Sequence, residues 1–289
     1  MSRLVKFFIT CGAVFVVGFA MCIAGAATGG VDGFKAVAED HDWVSAGSGS
    51  RATVELNDQE FDSIESTGVT DVVIVSKDNY DKVISEYDLT AIVEKDRCNA
   101  IAIFGSETKA PELTVYGNTL KIQGAAENEF DGINLDFTSE NAYPTVIVFC
   151  PDKQMEQIKI NSAFSDVWIK GVSFKNADIE LNYGDVDAEG IVSQGIDIRN
   201  DCGDVELAGD LKGQTKVKIE SGDIDIDTKA ETKDYSMAIK ALSGDVTIGD
   251  KEIEEFAEEG YSYKQDGGED SLDLEAAAGD IKVRQLEQL

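Results

Sequence analysis

The sequence predicts an all-β protein in which two-strand repeats of about 19 residues stack into a β-solenoid, preceded by one N-terminal transmembrane helix. Three observations predict this fold class. Short runs of alternating apolar and polar residues, which are typical of strands, succeed one another from Ala52 onwards. A Gly-Asp step recurs at nearly constant spacing in the second half of the chain, and residues 7–27 carry no charge.

The composition restricts the classes of function. The chain of 289 residues has 25 Lys and Arg against 56 Asp and Glu, a formal net charge of -31. Because the field around such a chain repels phosphate groups, we expect no nucleic-acid partner and no binding to anionic lipid headgroups. Hydrophobic residues make up 43% of the chain, which predicts a folded core and not a disordered chain.

The N-terminus predicts a membrane anchor. Arg3 and Lys6 precede the uncharged residues 7–27, which as a helix are long enough to cross a bilayer. By the positive-inside rule residues 1–6 are cytoplasmic and the C-terminal domain is extracellular, so we expect a single-pass protein of the cell membrane. The alternative is a cleaved signal peptide with its small-residue site at residues 24–26, which would make the protein secreted.

Two regions separate the anchor from the repeats. Residues 28–51 include a Gly- and Ser-rich passage and are a predicted juxtamembrane tether. Residues 52–154 are predicted to be an N-terminal β part of the solenoid, in which Gly117 and Asn118 indicate a hairpin turn. The predicted strands of this part are residues 52–56, 71–75, 100–104, 113–116, 119–122 and 145–150.

Residues 155–289 carry the Gly-Asp β-repeats. Each repeat is a strand, a tight turn and a second strand, so several must stack to bury a continuous Val, Ile and Leu core. The last interval holds an insertion at about residues 251–270, in which residues 251–260 predict a short helix because its apolar residues share one face. The six turns begin at Ser165, Gly184, Gly203, Gly222, Gly244 and Gly279.

The aspartate of each turn is a candidate site residue. Glycine permits positive φ at a tight corner, and the Asp carboxylate can accept backbone N–H groups there. Stacking in register also aligns the carboxylates, and a cation such as calcium would relieve their repulsion. Since the glycine-rich nonapeptide of calcium-binding β-rolls is missing, we favour the structural role and expect no metal and no other cofactor. The candidate calcium ligands are Asp185, Asp204, Asp223 and Asp245.

No catalytic constellation is visible in the sequence. His41, the only histidine, lies in the predicted tether, ahead of the folded domain. Asp223, Asp225 and Asp227 occupy alternate positions and are expected to face outward together, but a repeated ladder offers no asymmetry that would separate the pKa values of two carboxyl groups. We therefore predict that the protein is not an enzyme and has no catalytic or cofactor-binding residues.

The cysteines do not predict a disulfide framework. Cys98, Cys150 and Cys202 follow the anchor, allow at most one disulfide and show no spacing suited to zinc. The favoured interpretation is three buried, unreactive thiols.

The turns resemble those of a known family. Residues 221–224 and 243–246 both read Ser-Gly-Asp-Ile/Val, whereas Ser165 replaces the glycine of the first copy. In the remaining copies Tyr183, Cys202 and Ala278 replace the serine. This pattern is similar to that of the bacterial putative-adhesin family of unknown function, whose members are exported β-repeat domains related to adhesin head domains. The resemblance covers roughly residues 60 to 286 and implies the fold, but it implies no catalytic residues.

Together these features predict a membrane-anchored extracellular adhesin-like β-solenoid. It would act as a non-catalytic surface binding or scaffold module, because the faces of a solenoid suit extended ligands, and its ligand would be an extracellular protein or a glycan. Two alternatives stay open. One is an accessory or sensor protein of an envelope-stress system, and the other is a polysaccharide-active β-helix enzyme.

Overall fold

A computed structural model describes residues 51–89, 93, 98–105, 110–125, 144–151, 153–253, 256–257 and 260–286. The predicted anchor at residues 7–27 lies outside them, as does nearly all of the predicted tether. Within the described ranges no helix is long and apolar enough to cross a membrane.

Strands dominate the described residues, which confirms the all-β prediction. One α-helix, α1 (Tyr80–Glu86), and two short 3-10 helices, Lys77–Asn79 and Thr232–Asp234, accompany them. The strands are β1 (Arg51–Asn57), β2 (Ser63–Thr67), β3 (Asp71–Ser76), β4 (Cys98–Gly105), β5 (Glu112–Tyr116), β6 (Thr119–Gln123), β7 (Thr145–Cys150), β8 (Met155–Phe164), β9 (Val167–Lys170), β10 (Phe174–Tyr183), β11 (Val186–Cys202), β12 (Val205–Ser221), β13 (Ile224–Thr228), β14 (Ser236–Ala241), β15 (Val246–Ile248), β16 (Lys251–Glu252), β17 (Phe256–Ala257), β18 (Gly260–Gln265), β19 (Ser271–Ala278) and β20 (Ile281–Gln285).

The strands form coils, each with one strand on either side of a tight corner, and successive coils pair in parallel. The first face runs β6, β2, β8, β10, the end of β11, the end of β12, β19 and β14. The second face runs β7, β3, β9, the start of β11, the start of β12, β13, β20 and β15. This parallel stacking is consistent with the predicted β-solenoid, in which the strands of both faces turn one side toward a shared core.

The coils do not follow the order of the sequence at the two ends of the stack. The coil of β19 and β20 is the last in the sequence, yet it lies between the coil that ends in β13 and the coil of β14 and β15. In the same way, the coil of β2 and β3 is the first in the sequence but lies between β6–β7 and β8–β9. The predicted turns therefore stack in register, but those of Asp245 and Asp280 are exchanged relative to the sequence.

The side chains between the two faces form rows of identical register. On the first face one buried row consists of Ile160, Ile179, Ile198, Val217, Leu274 and Ile239. On the second face a matching row consists of Ile74, Ile169, Ala188, Leu207, Ile226, Val283 and Ile248. Burial of these rows is the main favourable term that holds the coils together.

Antiparallel strands cover both ends of the stack. At one end β4 pairs with β7 and β5 pairs with β6, with the predicted hairpin turn at Gly117 and Asn118. At the other end β18 pairs with β14 and β16 pairs with β15. These strands occupy backbone groups that would otherwise template the addition of further strands.

The predicted helix at residues 251–260 is wrong. The described part of this segment contains β16, β17 and the start of β18, and the N–H of Ile253 donates to the carbonyl of Val246 at 2.8 Å. The open edge of β15 offers backbone partners to this segment, and a helix of this length has too little intrinsic stability to compete with them.

Conversely, α1 was not predicted. Its Tyr80, Val83 and Ile84 lie on one side and pack in a second apolar cluster with Val75 and Phe149. The Tyr80 and Phe149 rings are 4.5 Å apart. The signal in the sequence was the continuous apolar run of β3 and of β7, because a strand that is apolar on both sides must be covered on both.

The Gly-Asp corners depend on glycine, whereas Ser165 occupies the equivalent position in the first repeat. Gly203 has φ of 139°, and a Cβ added to it would lie 2.1 Å from the carbonyl oxygen of Gly184 in the neighbouring coil. Since both atoms belong to the backbone of packed coils, neither can move away without breaking the strand pairing.

We expect Gly203→Ala to lower the free energy of unfolding by about 3 kcal/mol or more, because it adds a backbone clash to a strained φ. The matched control is Gly249→Ala: φ is 58° there, but no atom lies within 4 Å of the added Cβ, so the cost should be about 1–2 kcal/mol. Denaturant unfolding of both variants measures the difference. Equal costs would contradict the role assigned to the corner.

Candidate functional site

A column of aspartates follows the corner between the two faces. In each of its six steps the backbone N–H of one Asp donates to Oδ1 of the Asp in the preceding coil, at 2.7–3.1 Å. The carboxylates thus hold the corners of neighbouring coils together, as the structural interpretation of the turns predicts. In spatial order the column contains Asp71, Asp166, Asp185, Asp204, Asp223, Asp280 and Asp245.

All four candidate calcium ligands lie in this column. Asp185, Asp204 and Asp223 are consecutive, whereas Asp280 separates Asp245 from them. Apart from Asp245 at the end of the column, each uses Oδ1 for the next backbone N–H, and in the described part of the chain no three His, Cys, Asp or Glu side chains are grouped so that they could hold a metal ion. That the column needs no metal stays a prediction.

Asp71 belongs to the column although the sequence did not reveal it. Thr70-Asp71-Val72 occupies the place that Ser165-Asp166-Val167 occupies in the next coil, and the Ser165 hydroxyl donates to the carbonyl of Thr70. A search for turns of the type Thr/Ser-Asp-Val would have found it. Burial, together with the negative charge of Asp166, raises the pKa of Asp71 to about 7. Burial also raises the pKa of Asp166.

A second acidic group lies on the outward side of the second face, centred on Glu206. Burial raises the pKa of Glu206, and the charges of Asp187, Asp225, Asp204 and Asp185 raise it further. The predicted outward pairing of Asp225 with Asp227 is present on β13, whereas Asp223 precedes the strand and lies in the corner column. Carboxylates therefore repeat at the strand spacing along this side of the stack.

An exposed edge next to the corner carries aromatic and thiol groups. The Phe164 and Tyr183 rings stack at 5.1 Å, and Cys202 follows Tyr183 in register on the next coil. Cys98 and Cys150 are buried, and burial raises the pKa of each thiol to about 12. The prediction of buried thiols is thus right for these two and wrong for Cys202, which is exposed because its strand position faces outward at the corner.

A family model matches part of the chain. Residues 152–284 match the family model described as Toastrack DUF4097, a match to fewer than half of the 289 residues. This match includes most of the predicted Gly-Asp repeats. No curated protein matches the chain.

Three solved structures are similar to the chain at low identity. A putative cell adhesion protein from Clostridium sporogenes is 12% identical with a TM-score of 0.39, over 82% of this chain and 100% of that one. A putative adhesin from Bacteroides fragilis is 13% identical with a TM-score of 0.41, over 82% and 97%. A putative lipid binding protein from Parabacteroides distasonis is 12% identical with a TM-score of 0.31, over 83% and 98%. A likeness at this level carries no functional argument.

The raised pKa of Asp71 predicts a loss of stability as the pH rises. A carboxyl group whose pKa is higher in the folded state than in the unfolded state favours folding below its unfolded pKa, and this contribution is lost between about pH 4 and pH 7. Asp71→Asn keeps Oδ1 as an acceptor but removes the charge. Because Asp71 retains partial exposure to solvent, we expect the variant to be more stable than the parent by about 2 kcal/mol at pH 8, and no more stable at pH 4.

The control for this experiment is Asp266→Asn, which removes an exposed carboxylate and should shift the unfolding free energy little at either pH. Urea unfolding at pH 4, 6 and 8 measures all three proteins. Parallel pH profiles for the parent and Asp71→Asn would show that the pKa of Asp71 is the same in the folded and unfolded states, which would contradict the raised pKa.

The structural role of the column predicts that calcium has little effect on stability. We expect the unfolding midpoint of the full chain in detergent to be the same, within about 2 °C, in millimolar calcium and in chelator, since binding to the folded state alone would raise it. A rise of many degrees with calcium would identify the Asp column as a calcium site.

Proposed function

We propose that this chain is a membrane-anchored extracellular β-solenoid that resembles adhesins and acts as a non-catalytic surface module, which binds an extracellular protein or a glycan or serves as a scaffold. The observation that carries the proposal is the pair of outward faces. Along each face, strands of neighbouring coils present side chains of the same register at a spacing of about 4.8 Å. An extended ligand can contact many such positions at once.

The match of residues 152–284 to Toastrack DUF4097 supports a non-catalytic surface module. The sequence supports the membrane part of the proposal, because the uncharged residues 7–27 follow Arg3 and Lys6 and precede the first described strand, β1. The negative charge supports an extracellular partner that is neutral or cationic.

A non-catalytic role is supported by the nature of the acidic groups. From Asp185 to Asp223 the described corner carboxylates repeat from coil to coil with the same backbone partner, so they form a ladder of like groups. Burial raises the pKa of Asp71 and of Asp166, but Oδ1 of each is occupied by the backbone N–H of the next corner. General acid and base catalysis by two carboxyl groups needs unlike environments that separate their pKa values. Cleavage of a uronic-acid polysaccharide by the full chain would contradict this part of the proposal and support a β-helix enzyme.

Cys202 provides a direct test of location. It is the exposed thiol among the described cysteines, so we expect a membrane-impermeant maleimide to label the full chain on intact bacterial cells. Cys202→Ser, the control, should remove this labelling, because Cys98 and Cys150 are buried and the two remaining cysteines, Cys11 and Cys22, belong to the predicted anchor. The labelled protein should sediment with the membranes.

Two other results would change the proposal. Labelling that appears only after the cells are lysed would place the folded part inside and overturn it. Labelled protein in the culture medium would support the secreted form and would also count against an accessory or sensor protein of an envelope-stress system, which must stay beside its membrane partner.

A further inference from the structure

The inserted position of the last coil needs an explanation. We call the coil of β19 and β20 the C-terminal coil and the coil of β14 and β15 the penultimate coil. The C-terminal coil lies between the coil of β12 and β13 and the penultimate coil. A chain that stacked in sequence order would place the penultimate coil directly on β12 and β13. The C-terminal coil would then lie outside it, in place of β18.

The corner contacts would accept either order. Oδ1 of Asp223 accepts the N–H of Asp280 at 2.7 Å, and Oδ1 of Asp280 accepts the N–H of Asp245 at 2.9 Å. Gly244 and Gly279 have φ of 123° and 137°, close to each other and to the other corners. Asp245 could therefore donate to Asp223 in the same manner as Asp280 does.

The core would also accept either order. Leu274 and Ile239 have the same register on the first face, and Val283 and Ile248 have the same register on the second. All four are buried apolar side chains. Exchanging similar apolar residues between neighbouring layers costs little when volume and pattern are kept.

The outward charges distinguish the two orders on the first face. Lys216 and Lys218 of β12 lie beside Asp273 and Glu275 of β19, and Lys218 Nζ is 3.5 Å from Glu275 Oε1. The penultimate coil presents Ala238 and Lys240 at the same positions. Sequence order would thus replace two opposite charges by a neutral side chain and a like charge, Lys240 beside Lys218.

The second face shows the same complementarity with the signs reversed. Asp225 and Asp227 of β13 lie beside Lys282 and Arg284 of β20, and Arg284 Nε donates to Asp227 Oδ1 at 2.9 Å. Arg284 also lies 3.6 Å from Asp225 Oδ1. The penultimate coil offers Thr247 at the position of Lys282. Only the C-terminal coil is complementary to β12 and β13 on both faces.

We propose that these outward charges, and not the core or the corners, decide that the C-terminal coil is inserted, and that the last two coils exchange places when its charges are reversed. Complementary surface charges thereby determine where β19 and β20 insert into the stack. The C-terminal coil is held in this position by ion pairs at the surface, beside the hydrogen bond that the Gly213 N–H donates to Asp270 Oδ1 at 2.7 Å.

Disulfide trapping distinguishes the two orders in the full chain. Gln214, Ser271 and Ser236 are uncharged outward residues at one register, with Ser271 between the other two. In a Cys202→Ser background, Gln214→Cys with Ser271→Cys should cross-link on mild oxidation, because adjacent strands lie about 4.8 Å apart. Gln214→Cys with Ser236→Cys should not, because about 9.6 Å exceeds the reach of a disulfide.

Charge reversal then tests the cause. The triple variant Asp273→Lys, Lys282→Glu and Arg284→Glu brings like charges against Lys216, Asp225 and Asp227 in the inserted order. We expect the ratio of the 214–236 cross-link to the 214–271 cross-link to rise at least tenfold. Adding Lys216→Asp, Asp225→Lys and Asp227→Arg restores opposite charges, so this matched variant should return the ratio to the parent value.

A reversed variant that folds with the parent's circular dichroism and still forms mainly the 214–271 cross-link would overturn the proposal. If the reversed variant does not fold, the restored variant decides: folding with the 214–271 cross-link supports charge as the determinant. Failure of the restored variant to fold would show that the residues themselves, and not their complementary charges, are needed.

Discussion

The stack depends on the hydrogen bond from the backbone N–H of each corner Asp to the carboxylate of the Asp in the preceding coil. This bond joins neighbouring coils at the tight corner between the two faces, and at the Gly-Asp corners the glycine lets the two backbones approach closely enough to form it. The register of both faces follows from this point. A slip of one residue would turn every buried Val, Ile and Leu toward solvent, so a fixed corner also fixes the core.

The same interaction concentrates negative charge. A chain with a net charge of -31 brings its corner carboxylates into one column, and the N–H donors offset this repulsion where solvent also reaches the carboxylate. Asp71 is more deeply buried, and burial favours its protonated form and raises its pKa to about 7. That end of the stack is also where α1 and the antiparallel strand β4 cover the neighbouring strands. Asp71, the first carboxylate of the column, therefore lies at the end at which the repeated pattern stops.

Core and surface have separate tasks in this molecule. The buried rows are nearly interchangeable from coil to coil, which lets the stack be built from short, similar units. The outward positions differ from coil to coil, and they carry the features that could select a partner or a neighbour: the acidic group around Glu206, the stacked pair of Phe164 and Tyr183, and the complementary charges of the C-terminal coil. The outward side chains would thus determine both a surface binding or scaffold function and the order of the coils.

The sequence by itself determined the features that rest on local chemistry. Alternating residues identified most strands, Gly117-Asn118 identified the hairpin, and the Gly-Asp steps identified the corners, because φ and the side on which a residue lies depend on a few neighbours. Tertiary structure decided what depends on distant partners. Residues predicted as a helix form strands because the edge of β15 offers them backbone partners. Helix α1 packs on the apolar outer sides of β3 and β7. Asp71 joins the column because its carboxylate accepts the backbone N–H of Asp166 in the next coil. The stacking order of the coils could not be predicted from local residues either. Repeats with equivalent buried residues can stack in any order, and only the outward side chains that meet in three dimensions distinguish one order from another.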